Sequence, residues 1–124
     1  MDTERVSTAQ ASTPKQRVAA ECARHGARGL VAALSQCHML SYLYVCTAAG
    51  VVVTAYEDAP YGVMAETADG GGHFTEVVLR PRVTIAAAEM TEAAVKLHEE
   101  AGRKCFIASS VNFPVRHEPT VTTA

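Results

Sequence analysis

The chain has 124 residues, 48% hydrophobic and 19% charged, and its 13 acidic and 11 basic residues give a net charge of −2. This length allows one domain with a modest core. The balanced charge, without a long run of one sign, argues against a nucleic-acid partner or a polybasic membrane patch. Residues 1–10 are polar and lack the apolar stretch of a secretory signal, so we expect a cytoplasmic protein whose cysteines are free thiols.

Residues 1–29 form an atypical N-terminal segment. Residues 1–12 are polar and are predicted to be disordered. The pair Thr13-Pro14 is typical of a helix start. It predicts a short helix that ends at His25 and is followed by a glycine-containing loop.

The longest uncharged run of the sequence extends from Gly29 to Tyr56 and divides at Gly50. Before Gly50, apolar residues recur at i, i+4 and i+7, which predicts a buried central helix over Leu30–Ala49. Gly50 is a typical helix stop. The run is long enough for a membrane span. However, the helical half carries several polar side chains that are costly in lipid, and a β-branched strand-like run follows, so no span is predicted.

The rest of the chain predicts an α+β fold. Its predicted elements are strands over 51–57, 61–66 and 73–86, an amphipathic helix over 89–101, helical turns within 105–111 and a strand over 112–117. Pro81 lacks a backbone N–H, which favours a sheet edge or a bulge at that position. Residues 30–119 are the predicted core. The tail from Glu118 is expected to be frayed, and residues 120–124 are assigned to it.

Two cysteines are candidates for redox chemistry. Cys37 lies within the predicted central helix, where an apolar pocket is expected from Leu34, Met39, Leu40, Tyr42 and Tyr44. Cys105 follows Arg103 and Lys104, whose positive charges are expected to favour a thiolate nearby. Spacing alone leaves two interpretations open, a reactive thiol pair or inert buried cysteines, and the inert case is the more common one.

The remaining thiols and histidines receive structural interpretations. Cys46 lies nine positions after Cys37, about half a turn out of phase, so it is predicted to be core. Cys22 is assigned no role. His38 is predicted to be a hydrogen-bonded core or interface histidine, and His98, among glutamates, to be solvated. A zinc site would have to combine ligands without the usual close spacing, so no metal or cofactor is predicted; those ligands are Cys37, Cys105, His98 and His117.

Three motifs of the sequence resemble those of the OsmC/Ohr family. Residues 34–43, Leu-Ser-Gln-Cys-His-Met-Leu-Ser-Tyr-Leu, resemble its central-helix motif. Residues 75–83 are similar to a strand that follows in its OsmC-like branch, and residues 104–111 to its second cysteine motif, with Ser109 where the family typically has Asn. The motifs occur in the family order between Leu30 and Pro119.

The resemblance implies a thiol peroxidase that reduces organic hydroperoxides. It implies an intertwined homodimer, with sheets wrapped around two long central helices and active sites at the subunit interface. Cys37 would be the peroxidatic thiol and Cys105 the resolving thiol, joined as a disulfide after each turnover. A lipoylated protein or another dithiol would then reduce that disulfide.

The departures from the family pattern concern the groups that activate the thiol. Family members typically open the central helix with an Asn-Pro-Glu-Glu-Leu-like stretch, whose Glu helps to hold a catalytic Arg. The corresponding residues 25–29 contain no carboxylate, and no motif supports Arg24 or Arg28 as the substitute. Gly102-Arg103 stands where members often have His-Glu. The N-terminal third is therefore interpreted as lost or replaced.

These departures leave two hypotheses. The first is a peroxidase with activity well below that of an intact relative. The second is a non-catalytic OsmC-like protein that keeps the fold core and the dimer surface for interaction. Under either hypothesis, strands missing from the N-terminal third would leave apolar surface uncovered, so we expect dependence on dimerisation or marginal stability.

Overall fold

The structure is a computed structural model that describes the backbone of residues 5–6 and 14–124 and the side chains of residues 26–124. Two α-helices and seven strands make up this part of the chain. In chain order they are β1 (Arg5–Val6), α1 (Pro14–Ala49), β2 (Val53–Asp58), β3 (Tyr61–Glu66), β4 (Gly72–Leu79), β5 (Pro81–Ile85), α2 (Thr91–Lys104), β6 (Val115–His117) and β7 (Thr120–Thr123). Short 3-10 turns occupy Ala88–Met90 and Ala108–Ser110.

Helix α1 is one continuous element of 36 residues, about 54 Å long. It begins at Pro14 as predicted, but the predicted loop before Leu30 is wrong. Gly26 and Gly29 lie inside the helix with open space where a side chain would be, so they weaken it without ending it. The end of α1 is a Schellman motif: Gly50 has φ +82°, and the amide of Val51 donates to the Cys46 carbonyl at 2.9 Å.

The strands form two mixed sheets, which confirms the α+β class. The first sheet has the order β1-β3-β4-β6 and the second the order β2-β5-β7. Each is built on one antiparallel pair, β3–β4 or β2–β5, and the remaining strands add in parallel. The predicted strand over 73–86 is two strands in different sheets. The chain changes sheet at Arg80, and Pro81 is the first residue of the central strand β5, where a missing N–H is tolerated.

Both ends of the described chain pair with sheets. Thr120–Thr123 pairs in parallel with β5, so the prediction of a frayed tail is wrong. Arg5–Val6 pairs in parallel with β3, whereas the rest of the predicted disordered segment 1–12 lies outside the described residues.

In the part of the chain with described side chains, the core consists of two apolar clusters that contact α1 at different positions along its length. The cluster nearer the start of the helix packs α1 on the first sheet through Val31, Leu34, Val77 and Leu79. The other packs the end of α1 on α2 and the second sheet; it contains Tyr42, Val45, Cys46, Val51, Val83, Ile85, Ala94 and Ala101. Helix α1 therefore joins the two sheets into one fold.

By length and composition alone, Gly26–Ala49 also has the character of a membrane-crossing helix, with 39% of its apolar window buried. The core helix of a soluble protein meets the same criterion. In this fold the helix packs on both apolar clusters, which accounts for its hydrophobicity.

Candidate functional site

The structure brings Cys37 and Cys105 together. Cys37 lies on α1 and is half-buried, and Cys105 directly follows the last residue of α2 and is 1% exposed. Their side chains are close enough to interact through a hydrogen bond. Both are free thiols. The structure thus places the two predicted redox thiols next to each other, at the point where the end of α2 meets α1.

Burial dominates the chemistry of Cys105. Burial, followed by the interaction with Cys37, raises the pKa of this thiol to about 11. The expectation that Arg103 and Lys104 would favour a thiolate at Cys105 is therefore wrong. Both cationic side chains are exposed, and Lys104 pairs with Glu100 at 3.0 Å. At neutral pH, Cys105 is a protonated thiol.

The apolar pocket predicted around Cys37 is open on one side in the single chain. Leu34 and Tyr42 are fully buried, but each belongs to a different core cluster. Leu40 and Tyr44 are 64% and 70% exposed, and Phe106, next to Cys105, is 83% exposed. The thiol pair thus lies beside uncovered apolar surface.

Three arginines bond to groups other than the thiols. Arg80 donates to the Ala59 carbonyl and lies over the ring of Tyr61, and Arg82 and Arg116 pair with glutamates on neighbouring strands. Arg28 is exposed on α1 and has an interaction partner. The side chains of Arg24 and Cys22 lie outside the described residues.

Three histidines form a cluster with Tyr42, and of these His38 and His98 are buried whereas His117 is half-buried. His38 Nε2 lies 3.0 Å from His98 Nδ1, the ring of His117 stacks on His38 at 4.4 Å, and Tyr42 stacks on His98 at 3.9 Å. The prediction for His38 is confirmed. His98 is only 2% exposed, so the prediction of a solvated side chain is wrong. The sequence signal for this burial was the position of His98 four residues after Ala94 and three before Ala101, because residues three or four apart share one helix face.

All three imidazoles are neutral at pH 7. Burial, followed by the charges of the neighbouring histidines, lowers the pKa of His38 to about 3. Burial and His117 lower the pKa of His98 to about 4. Burial also lowers the pKa of His117, against the opposing effect of Asp58. Three ring nitrogens, His38 Nδ1, His98 Nε2 and His117 Nε2, have no hydrogen-bond partner among the described residues.

Buried polar bonds also hold α1 against α2. Tyr42 donates its hydroxyl to the Ala94 carbonyl at 2.8 Å, and Ser41 donates to the Ala101 carbonyl at 2.9 Å. Together with the bond between His38 and His98, these contacts fix the register of the two helices that carry the thiols.

Within residues 26–124, no three histidine, cysteine or carboxylate side chains are placed so that they could hold a metal ion. The site has the groups for thiol chemistry, and a zinc centre at Cys37, Cys105, His98 and His117 has no geometric support.

Comparison with known proteins assigns the family. The sequence profile of the family described as OsmC-like protein matches residues 28–120. The chain belongs to the OsmC-like family. An OsmC-like protein of unknown function from Vibrio cholerae is 35% identical with a TM-score of 0.67, and the match covers 75% of this chain but only 62% of that protein. No functionally curated protein matches the sequence.

More distant OsmC-like structures share the fold. An organic hydroperoxide resistance protein from Elizabethkingia anophelis is 17% identical with a TM-score of 0.60, and the match covers 80% of this chain and 68% of that one. The organic hydroperoxide resistance protein OhrB of Bacillus subtilis is 14% identical with a TM-score of 0.54, covering 77% and 67%. At these identities the likeness shows the α+β fold alone.

One departure from the OsmC-like pattern has a local explanation. Gly102 stands where family members often carry a side chain before the second thiol. A Cβ atom at Gly102 would lie 2.8 Å from His117 Cε1, closer than real contacts allow. The absence of a side chain at this position is therefore what lets the imidazole of His117 lie against α2.

Proposed function

We propose that this OsmC-like protein is a thiol-dependent peroxidase that reduces organic hydroperoxides. The single observation that carries the proposal is the interaction between Cys37 on α1 and Cys105 just after α2, two residues that are far apart in sequence. Family membership supports it, since some OsmC-like structures are organic hydroperoxide resistance proteins. Cys37, the more exposed thiol of the pair, is the group assigned to meet the peroxide.

The proposed reaction has two steps. The Cys37 thiolate attacks the terminal oxygen of the hydroperoxide, and the O–O bond breaks. Cys37 becomes a sulfenic acid, and the alkoxide takes a proton and leaves as an alcohol. The Cys105 sulfur then attacks the Cys37 sulfur, the S–O bond breaks, and water leaves as the disulfide forms. A dithiol or lipoylated protein supplies the two electrons that restore both thiols.

Two features predict a slow enzyme. The raised pKa of Cys105 leaves little thiolate for the second step at neutral pH. Arg80, Arg82 and Arg116 bond to groups other than the thiols, so none of these three is placed to stabilise the negative charge that develops on the leaving oxygen.

A second copy of the chain is the proposed cover for the open side of the pocket. Leu40, Tyr44 and Phe106 form exposed apolar surface around the thiol pair. Surface of this kind on a small protein is typical of an interface. In a homodimer it would enclose Cys37 and exclude water from the reacting sulfur.

The test is consumption of an organic hydroperoxide with a dithiol reductant. We expect the Cys37→Ser variant to lose all protein-dependent turnover. The Cys105→Ser variant should lose disulfide formation and accumulate overoxidised Cys37. Cys46→Ala is the matched control, because this buried thiol lies in the core away from the pair and should leave turnover unchanged. Equal rates for the wild type and Cys37→Ser would refute the proposal.

The second candidate is a non-catalytic OsmC-like interaction protein. It is favoured by the open pocket and by the protonated state of Cys105. Mass spectrometry after mild hydroperoxide treatment separates the candidates. An intramolecular disulfide between Cys37 and Cys105 supports the enzyme, whereas unmodified Cys37 supports the interaction protein.

A further inference from the structure

The buried histidine cluster joins three separate elements at one point. His38 belongs to α1, His98 to α2 and His117 to β6. These residues are distant in sequence, yet their rings lie 4.4 and 5.3 Å apart at the His38 contacts. The proposed peroxidase chemistry uses none of them. A cluster of this kind holds its elements together only while its imidazoles do not carry positive charges that repel one another.

The hydrogen bond between His38 and His98 requires at least one neutral ring. In the 3.0 Å contact between His38 Nε2 and His98 Nδ1, one nitrogen must donate and the other accept. An imidazolium has two donors and no acceptor, so protonation of both rings replaces this bond with repulsion. The three unpartnered ring nitrogens are further sites at which protons would have to enter a buried space.

Few charges near the cluster can compensate a proton. From β2, the carboxylate of Asp58 acts on His117, but it already accepts hydrogen bonds from Ser35 and from the amide of Arg80. Tyr56 and Cys46 are titratable groups that act on Tyr42, the ring stacked on His98. Burial raises the pKa of both, so they are neutral and offer no negative charge.

The cluster is placed to act on Cys105. His98 lies two turns before Cys105 on α2, and His117 lies against Gly102 in the last turn of that helix. His38 is adjacent to Cys37 on α1. Any separation of His38 from His98 would therefore move the end of α2, with Cys105, away from the helix that carries Cys37.

We propose that the histidine cluster is an acid-sensitive latch, which positions Cys105 against Cys37 when neutral and releases the end of α2 when it is protonated. The direction of the pH effect follows from the difference between the pKa values of the imidazoles in the closed and open forms. An exposed imidazole has a pKa near 6.5, above the values of about 3 and about 4 for the buried His38 and His98. Acid therefore favours the open form, starting below pH 6.5. The further expectation that acid stops disulfide formation rests on the proposed function. The release of α2 in acid is independent of it.

The test measures the accessibility of Cys105 in the reduced protein, without any peroxide. A pyridyl disulfide is suitable, because protonation of its ring keeps it reactive towards thiols in acid. Labelling at Cys105 is followed by mass spectrometry, relative to a short cysteine peptide at the same pH. We expect the relative rate to rise on the order of 10-fold from pH 7 to pH 5 for each imidazole released.

The matched variants are His98→Phe and His73→Gln. Phenylalanine keeps a ring against Tyr42 but cannot be protonated, so the rise at pH 5 should fall at least several-fold. His73 is an exposed histidine on β4, and its replacement should leave the rise unchanged. A wild type whose Cys105 labelling is flat between pH 7 and pH 5 would overturn the proposal, as would an undiminished rise in His98→Phe.

A second measurement covers the case in which His98→Phe fails to fold. The ring resonances of the wild-type histidines are followed by NMR over the same pH range. The latch requires the resonances of the buried imidazoles to reach their protonated positions once Cys105 is labelled as fast as the peptide. Imidazoles that are still neutral when Cys105 is fully accessible would refute it. Failure of hydroperoxide turnover in the same samples would count only against the proposed enzyme activity.

Discussion

The two faces of α1 around Cys37 differ in burial, and the more apolar side chains are not all on the buried face. On the inner face, His38 and Tyr42 are fully buried and bond to α2. On the outer face, Leu40 and Tyr44 are largely exposed. Cys37 lies between the two and is half-buried. The hydropathy of a helix thus shows how much apolar surface it has, while its packing partners decide which part of that surface is covered.

The two faces of α1 affect the thiols in different ways. The inner face fixes the positions of Cys37 and Cys105 through bonds between helices. The outer face leaves the Cys37 sulfur partly exposed, so its access to water depends on the surface that packs on this face. Changes on the inner face should therefore affect the folding of the single chain, and changes on the outer face should affect assembly.

The largest expected effect comes from a pair of tyrosines, one on each face. Tyr42→Ala removes a fully buried ring, its stacking on His98 and its bond to the Ala94 carbonyl. We expect a loss of about 3–5 kcal/mol in the free energy of unfolding. Tyr44→Ala removes a ring that is 70% exposed and should change the same quantity by less than about 0.5 kcal/mol, in the monomeric state. Urea denaturation measures both; equal losses would contradict the distinction between the faces.

An intermediate effect is expected on self-association. Leu40→Glu places a charge on the exposed apolar surface and should weaken a homodimer by about 10-fold or more, because a charge is costly in an interface core. Val95→Glu on α2 is the control, since Val95 is exposed on the other helix. Sedimentation velocity over a concentration series measures the change. A wild type that remains a monodisperse monomer and unfolds cooperatively would count against the proposed dimer.

The smallest effect concerns the part of α1 that precedes both faces. Gly29→Ala should stabilise the protein by about 0.5–1 kcal/mol, because a Cβ there meets no atom and alanine favours the helix. Gly50→Ala should instead destabilise it, since Gly50 has φ +82°. Thermal unfolding distinguishes the two, and a destabilised Gly29→Ala variant would show that α1 does not run through this position in solution.

Part of this architecture can be predicted from the sequence. The uncharged run and Gly50 located the central helix and its end, and the family motifs indicated the fold and the candidate thiols. The two sheets were not predictable, because apolar residues alternate in the same way before and after Arg80. Periodicity records which side of a strand is buried and carries no information about which sheet the strand joins.

The surroundings of the thiols were the least predictable part of the site. The charges of Arg103 and Lys104 are evident in the sequence, but their direction, towards solvent, is set by the packing of α2. The burial of His98 was within reach, since Ala94 and Ala101 mark its face of the helix. Its partners were not, because His38 and His117 reach it only through tertiary structure.

The contact between Gly102 and His117 has a consequence for the evolution of this branch of the OsmC-like family. Because a Cβ atom at Gly102 would lie 2.8 Å from the His117 ring, a side chain at position 102 requires that ring to move or to be replaced. A relative that carries a side chain at the position of Gly102 should have a smaller residue, or a displaced strand, at the position of His117. Substitutions at the two sites should therefore covary. Glycine and histidine at these two positions together should identify the relatives that have the same histidine cluster.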